Sequence, residues 1–323
     1  MKKYQKLYAA GLISAETLNR VVQLRAKPVF SLHREIRMML YAGILMLSTG
    51  LGILIYQNLD SIGHQVILAL ITAITTGCFW YTFKNQPPYQ PGKSNSTSVA
   101  ADYILLFGCL SLLSLLAYLQ FQYELFGTRY GLATFIPAVI LFFMAYRFDH
   151  QGVLGMAITN LAIWMGVSVS PKVLFGMTRI NESPLIWTYV SLALLLIAAA
   201  YLSEWTRLKP HFKFIYLHFG SHILHLSLLT AWFAYPGSYH WIYPLLTIFS
   251  AALLYKNGRR EHSFYLLLVQ LFYAYIAASL LYTDWLKWIN LGSDPYLFVL
   301  WYIISPVLLA RHIYHLHKKL KQQ

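Results

Sequence analysis

Met38 to Tyr56 reads MMLYAGILMLSTGLGILIY, nineteen residues without a charge. At 1.5 Å rise per residue, a helix of that length covers roughly the 30 Å hydrocarbon core of a bilayer. Water cannot satisfy backbone N–H and C=O groups there, so the segment must be helical. The 37 residues before it carry eight Lys or Arg against two acids, Glu16 and Glu35. Positive flanks are held on the cytoplasmic side. The reading is therefore a first transmembrane helix entering from the cytoplasm, and every later span alternates from it.

The totals agree. Of 323 residues, 58% are hydrophobic and 11% charged, with a mean hydropathy of +0.52, beyond the range of ordinary water-soluble domains. A net charge of +14 invites a nucleic-acid reading, but the cations fall in short clusters between apolar runs and form no continuous basic face, so no nucleic-acid partner is expected. The bilayer itself is the expected partner. Cys78 and Cys109 both sit inside apolar runs, where a thiol behaves as a small apolar group, and they imply no disulfide or metal site. The first apolar run lacks a small-residue cleavage site after it, which predicts a retained anchor.

Ten apolar runs follow in order: the first, then about 64–83, 102–120, 131–146, 152–168, 184–202, 214–235, 241–255, 263–282 and 296–314. The fourth and eighth are short. Counted by alternating loops, 21 Lys and Arg fall on the side of the amino terminus and four (Arg129, Lys172, Arg179, Lys287) on the other. That asymmetry predicts both termini in the cytoplasm, in a bacterial inner membrane. The expected class is all-α, a polytopic transmembrane bundle of about ten spans. Residues 1–37 form a basic cytoplasmic helical hairpin in which Gly11 closes one helix and Ser14 caps the next. Residues 38–83 hold the first two spans, 84–100 a Pro- and Ser-rich flexible loop, and 101–323 a bundle of about eight helices. The hairpin is either a docking site for a protein partner or a basic arm on anionic headgroups.

Two stretches together, Gly11-Leu12-Ile13-Ser14-Ala15-Glu16-Thr17 and Gly50-Leu51-Gly52-Ile53-Leu54-Ile55-Tyr56-Gln57-Asn58-Leu59-Asp60, resemble a family of bacterial integral membrane proteins grouped as domain of unknown function 2157. The resemblance covers roughly residues 4–150. Leu59 stands where that family carries Trp. What the resemblance implies is a membrane topology; it brings no activity and no catalytic residue.

An ionisable group at mid-membrane costs roughly 2.5 to 3.5 kcal/mol on insertion scales, so each one requires a reason. In the seventh run His218, His222 and His225 recur at i, i+4 and i+7, which places three imidazoles within about 60° of arc on one helix face. Three readings stand: a polar seam between helices, a proton or solute path, or a metal or haem ligand set. A zinc-hydrolase motif would need Glu beside the first His, and Phe219 is there. Asn160 in the fifth run and Gln270 in the ninth are further candidates for lining such a path. No nucleophile motif, phosphate loop or metal-spaced Cys pair is present, so no cofactor and no soluble-type catalysis is expected. The functional expectations are a permease-like transporter of a small solute or proton, or alternatively a non-enzymatic scaffold or sensor docking a partner through the hairpin, with a metal or haem enzyme third.

Overall fold

Each of the ten apolar runs lies in one helix of the computed structural model, which describes residues 8, 11, 13–17, 19–20, 32–57, 63–85, 89–93, 99–127, 130–169, 183–237, 239–261, 263–291 and 295–322. The helices are α1 (Leu32–Gln57), α2 (His64–Asn85), α3 (Val99–Tyr123), α4 (Tyr130–Phe148), α5 (Gln151–Val169), α6 (Ser183–Trp205), α7 (Lys213–Ala234), α8 (Ile242–Arg260), α9 (Phe264–Trp288) and α10 (Pro295–Gln322). A single 3₁₀ turn, Pro210–Phe212, precedes α7, and no strand occurs among the described residues. Eight helices, α2 to α7, α9 and α10, are long and apolar enough to cross a membrane; α1 holds a shorter apolar stretch, Met38–Leu54. The fourth run is longer than its sequence suggested, because α4 extends to Phe148 and reaches 19 residues. The eighth continues as a helix past Tyr255 into Lys256, Arg259 and Arg260, a polar last turn that keeps α8 outside the set of eight.

The chain divides into two compact units, Met1–Ile67 and Leu68–Gln323. In the first, Gly11 takes a φ of +69° with its N–H donating to Tyr8 O, and Ser14 Oγ accepts the Thr17 N–H at 3.2 Å. The Ser14 contact is the N-cap expected there, and the left-handed Gly11 closes a turn. Of the rest of the expected hairpin, residues 1–7, 9–10, 12, 18 and 21–31 lie outside the described residues and 32–37 are the first residues of α1; residues 86–88 and 94–98 of the loop also lie outside.

In the second unit α7 is the most enclosed of the eight long apolar helices and α10 the least. Its near neighbours are α6 and α8, and the close approach to α6 rests on Gly220: a Cβ there would meet Ile197 Cγ1 at 2.9 Å and Ala193 O at 3.3 Å. Small residues at such contacts let helix backbones meet where the lipid supplies no hydrophobic drive. Tyrosines tie further helices by hydroxyl bonds, Tyr146 to Tyr216 at 2.9 Å and Tyr189 to Ala162 O at 3.2 Å. On α9, Tyr275 meets Ser305 of α10, and Tyr282 stacks on Trp301 of α10 at 4.4 Å.

Two cations that the loop count placed on the side of the amino terminus are buried in the protein. Lys209, 1% exposed, takes a φ of +50°; its N–H donates to Pro91 O at 2.8 Å, and its Nζ donates to Gly92 O at 3.1 Å and lies 3.4 Å from Asp149 Oδ1. His211 Nε2 sits 2.5 Å from the same carboxylate oxygen. Lys213 bridges Glu204 at 2.8 Å and Glu261 at 2.5 Å. A lysine cannot be buried unpaired at tolerable cost, and the acids next to these two are what allow it. Lys209 also pins residues 89–93 of the loop to the turn before α7.

At the two-residue corner between α4 and α5, Asp149 adopts φ +57° and His150 caps α5, its Nδ1 accepting the Val153 N–H at 3.1 Å. A nitrogen that accepts carries no proton. Burial pushes the His150 pKa down, against the pull of Asp102 and Asp149, so the ring stays neutral.

Candidate functional site

Helices α7 and α9 both begin at the same end of the bundle, with the antiparallel α8 between them in sequence, so their residues pair in parallel order. Along that pairing the histidines of α7 meet tyrosines of α9. His218 Nδ1 lies 2.7 Å from Tyr265 Oη, the same hydroxyl lies 3.1 Å from His222 Nε2, and His222 Nδ1 lies 2.8 Å from Tyr273 Oη. The result is an unbroken row, His218–Tyr265–His222–Tyr273. His225 continues it, its ring 4.8 Å from that of Tyr273.

Burial rises along the row. Tyr265, in the first turn of α9, is 39% exposed, Tyr273 is 6% exposed and His225 is fully enclosed. From His218 to His225 is seven residues, about 10 Å of helix axis. The row therefore runs from the edge of the bundle toward its interior. Among the described residues neither ring nitrogen of His225 makes a well-formed hydrogen bond, and the buried Gln270 Oε1 has no partner. A buried polar atom without a partner costs about 1 to 3 kcal/mol, which is a reason to look for work done there.

The donor and acceptor inventory is the chemical point. A neutral imidazole has one N–H and one lone pair, and a phenol has one O–H and accepts as well. If His218 Nδ1 donates to Tyr265, then Tyr265 donates to His222 Nε2, and His222 Nδ1–H donates to Tyr273. Reversing every proton satisfies the same contacts equally well. A row with two equivalent polarities is one along which a proton entering at one end displaces another from the far end.

The residues singled out by sequence divide accordingly. His218 and His222 are joined in the row, and His225 extends it by ring contact. Gln270 is buried on α9, between the two tyrosines in sequence. Asn160 is elsewhere: its amide donates to Met156 O at 3.0 Å, back into its own helix. Both nitrogens of His222 face hydroxyls rather than converging on a point, and among the described residues no group of three or more His, Cys, Asp or Glu is arranged to hold a metal. Sequence reading missed Tyr265 and Tyr273. Their signal was present as a pair spaced eight residues apart on an apolar helix, two turns and a little more, but it is submerged among 25 tyrosines, most of which belong to no such row.

A second polar group lies at the opposite end of the same helices. Asp284 Oδ2 accepts Trp232 Nε1–H at 2.8 Å and His240 Nε2–H at 3.0 Å. His240 Nδ1 faces Gly237 O. Acceptors at both nitrogens favour the doubly protonated imidazole, and its pKa is raised, first by the Gly237 carbonyl and then by Asp284, against burial and Lys287.

No curated protein and no solved structure matches the chain. One family model does match, and it ends in the first turn of α5, so the α7–α9 row lies beyond it. Residues 5–154 match the family described as predicted membrane protein (DUF2157), the family that the Gly11–Thr17 and Gly50–Asp60 motifs resemble.

Proposed function

We propose that this membrane protein is permease-like and that the His218–Tyr265–His222–Tyr273 row is its proton path, with both termini cytoplasmic so that the Tyr265 end opens toward the cytoplasm. The observation that carries the reading is the continuity of the row: three hydrogen bonds in series, each between a group that donates and a group that accepts. One proton enters at His218 Nε2. The Nδ1 proton of His218 passes to Tyr265, the proton of Tyr265 to His222 Nε2, and the Nδ1 proton of His222 to Tyr273, whose own proton leaves toward the interior. Ring and hydroxyl reorientation then resets the row. The orientation is supported by the split of 21 cations to four between alternating loops.

The test is proton flux into proteoliposomes carrying an entrapped pH dye, driven by a potassium diffusion potential, for wild type beside His222→Ala. The expected result is flux in the wild type reduced at least tenfold by the substitution, with the variant still monodisperse in detergent. Equal flux in both proteins, or none above protein-free liposomes in either, removes the reading.

A further inference from the structure

A cavity of about 590 Å³ opens beside the loop joining α7 to α8, at the end of α7 and α9 opposite Tyr265. Its walls include the rings of Trp232, Phe233, Trp288 and His240, with Asp284 and Lys287 supplying charge. That volume suits a small molecule, and aromatic walls with a few placed polar groups are the usual composition of such sites.

Asp284 is in the last turn of α9, where a carboxylate opposes the negative end of the helix dipole. Its placement needs an explanation beyond helix stability. Trp232 and His240 both bind Oδ2 and so fix the carboxylate, while Oδ1, also enclosed, has no hydrogen-bond partner among the described residues. A staple joining α7, the loop and α9 would engage both oxygens. The missing partner is an N–H or O–H donor.

Charge narrows the donor. The imidazolium of His240 neutralises Asp284, and Lys287, one turn along the same helix and exposed, leaves the cavity with a net positive charge. A simple ammonium ion satisfies Oδ1 but meets that excess, and a simple carboxylate suits Lys287 but leaves Oδ1 orphaned. A molecule with both groups a few ångströms apart answers both. Cβ atoms three residues apart on a helix are about 5 to 6 Å apart, the spacing that an α-amino acid spans with its ammonium on Asp284 and its carboxylate on Lys287. The aromatic walls then receive an apolar or aromatic side chain, and the ring faces favour a nearby cation.

From this geometry we infer that the cavity at Trp232, Asp284 and Lys287 is a binding site for a small zwitterion, an amino acid with an apolar or aromatic side chain. The inference is independent of the proton row, and its test uses binding alone.

Three probes share one ring and differ only in charge: L-phenylalanine, phenethylamine without the carboxylate, and 3-phenylpropanoate without the ammonium. Calorimetric titration of the detergent-purified full chain is expected to show phenylalanine binding at least tenfold more tightly than either of the others. Asp284→Asn should abolish the preference over 3-phenylpropanoate, and Lys287→Gln the preference over phenethylamine. Because Asp284→Asn also weakens a tie between helices, the comparison of the three probes on wild-type protein decides by itself. Equal affinities would mean a nonspecific aromatic slot; tightest binding of phenethylamine or of 3-phenylpropanoate would mean a plain cation or anion site; no binding would mean no site. Each of these overturns the inference.

Discussion

Histidines in this protein do opposite things according to what faces their nitrogens. His150 accepts a backbone N–H and is buried, which holds its pKa below the usual 6.5, whereas His240 donates from both nitrogens and is held above it. The contribution of protonated His240 is fully present below about pH 6.5 and is lost as pH rises through its raised value, while the contribution of neutral His150 is present above about pH 6.5 and is lost as pH falls through its lowered value. Histidine ¹³C NMR in detergent should place the two midpoints on either side of 6.5, and Asp284→Asn should move that of His240 down with His150 unchanged. Coincident midpoints would contradict the assignments.

The histidine stripe was legible because 3.6-residue periodicity puts i, i+4 and i+7 on one face of α7 whatever the tertiary structure. Its partners were not. Which face of α9 meets α7, and therefore whether Tyr265, Tyr273 or Gln270 meets it, depends on helix rotation that the apolar pattern leaves open, since α9 is apolar all round. For Asn160 the structure shows one amide N–H donating to Met156 O of its own helix, a local bond that leaves no trace in sequence spacing.

At the scale of elements, the α6–α7 contact depends on absence of a side chain at Gly220. Gly220→Val places atoms where Ile197 Cγ1 and Ala193 O already stand, and overpacking of this kind costs about 1 to 3 kcal/mol. Its thermal midpoint in detergent should fall, while Gly237→Val, where a Cβ would meet nothing within 4 Å, should leave the midpoint near wild type. A second element-scale prediction concerns the turn before α7. Lys209→Met removes one cation from the Asp149 carboxylate, 4% exposed, and leaves it with His211, so the loss should fall short of the about 3 to 5 kcal/mol that a fully broken buried pair costs. Adding Asp149→Asn should recover part of that loss; two fully additive losses would show that the pair does not couple. In sequence, Lys209 and Lys213 looked like any other loop cations. Only the chain reversal that brings Asp149, Glu204 and Glu261 to them shows that their charge is spent internally.

For the whole molecule, the apolar runs located the ten long helices of the described residues, because length and hydropathy in a bilayer are nearly sufficient to do so. Run ends were read less well where a helix continues into charged residues, as α8 does beyond Tyr255. Removing the two buried lysines from the loop count leaves 19 cations against four, so the proposed orientation survives the correction. A fluorescent protein fused after Gln323 should therefore fluoresce and an alkaline phosphatase fused there should be inactive. The reverse pattern would place the Tyr265 end of the row on the far side.

The proton row is the central claim, and the most direct measurement is current. On solid-supported membranes bearing oriented protein, a pH jump should give a wild-type current that reverses with the direction of the proton gradient, and Tyr265→Phe, which removes the hydroxyl linking His218 to His222 and keeps the ring, should abolish it. An undiminished current in Tyr265→Phe would contradict the account, because protons would then be crossing without the row.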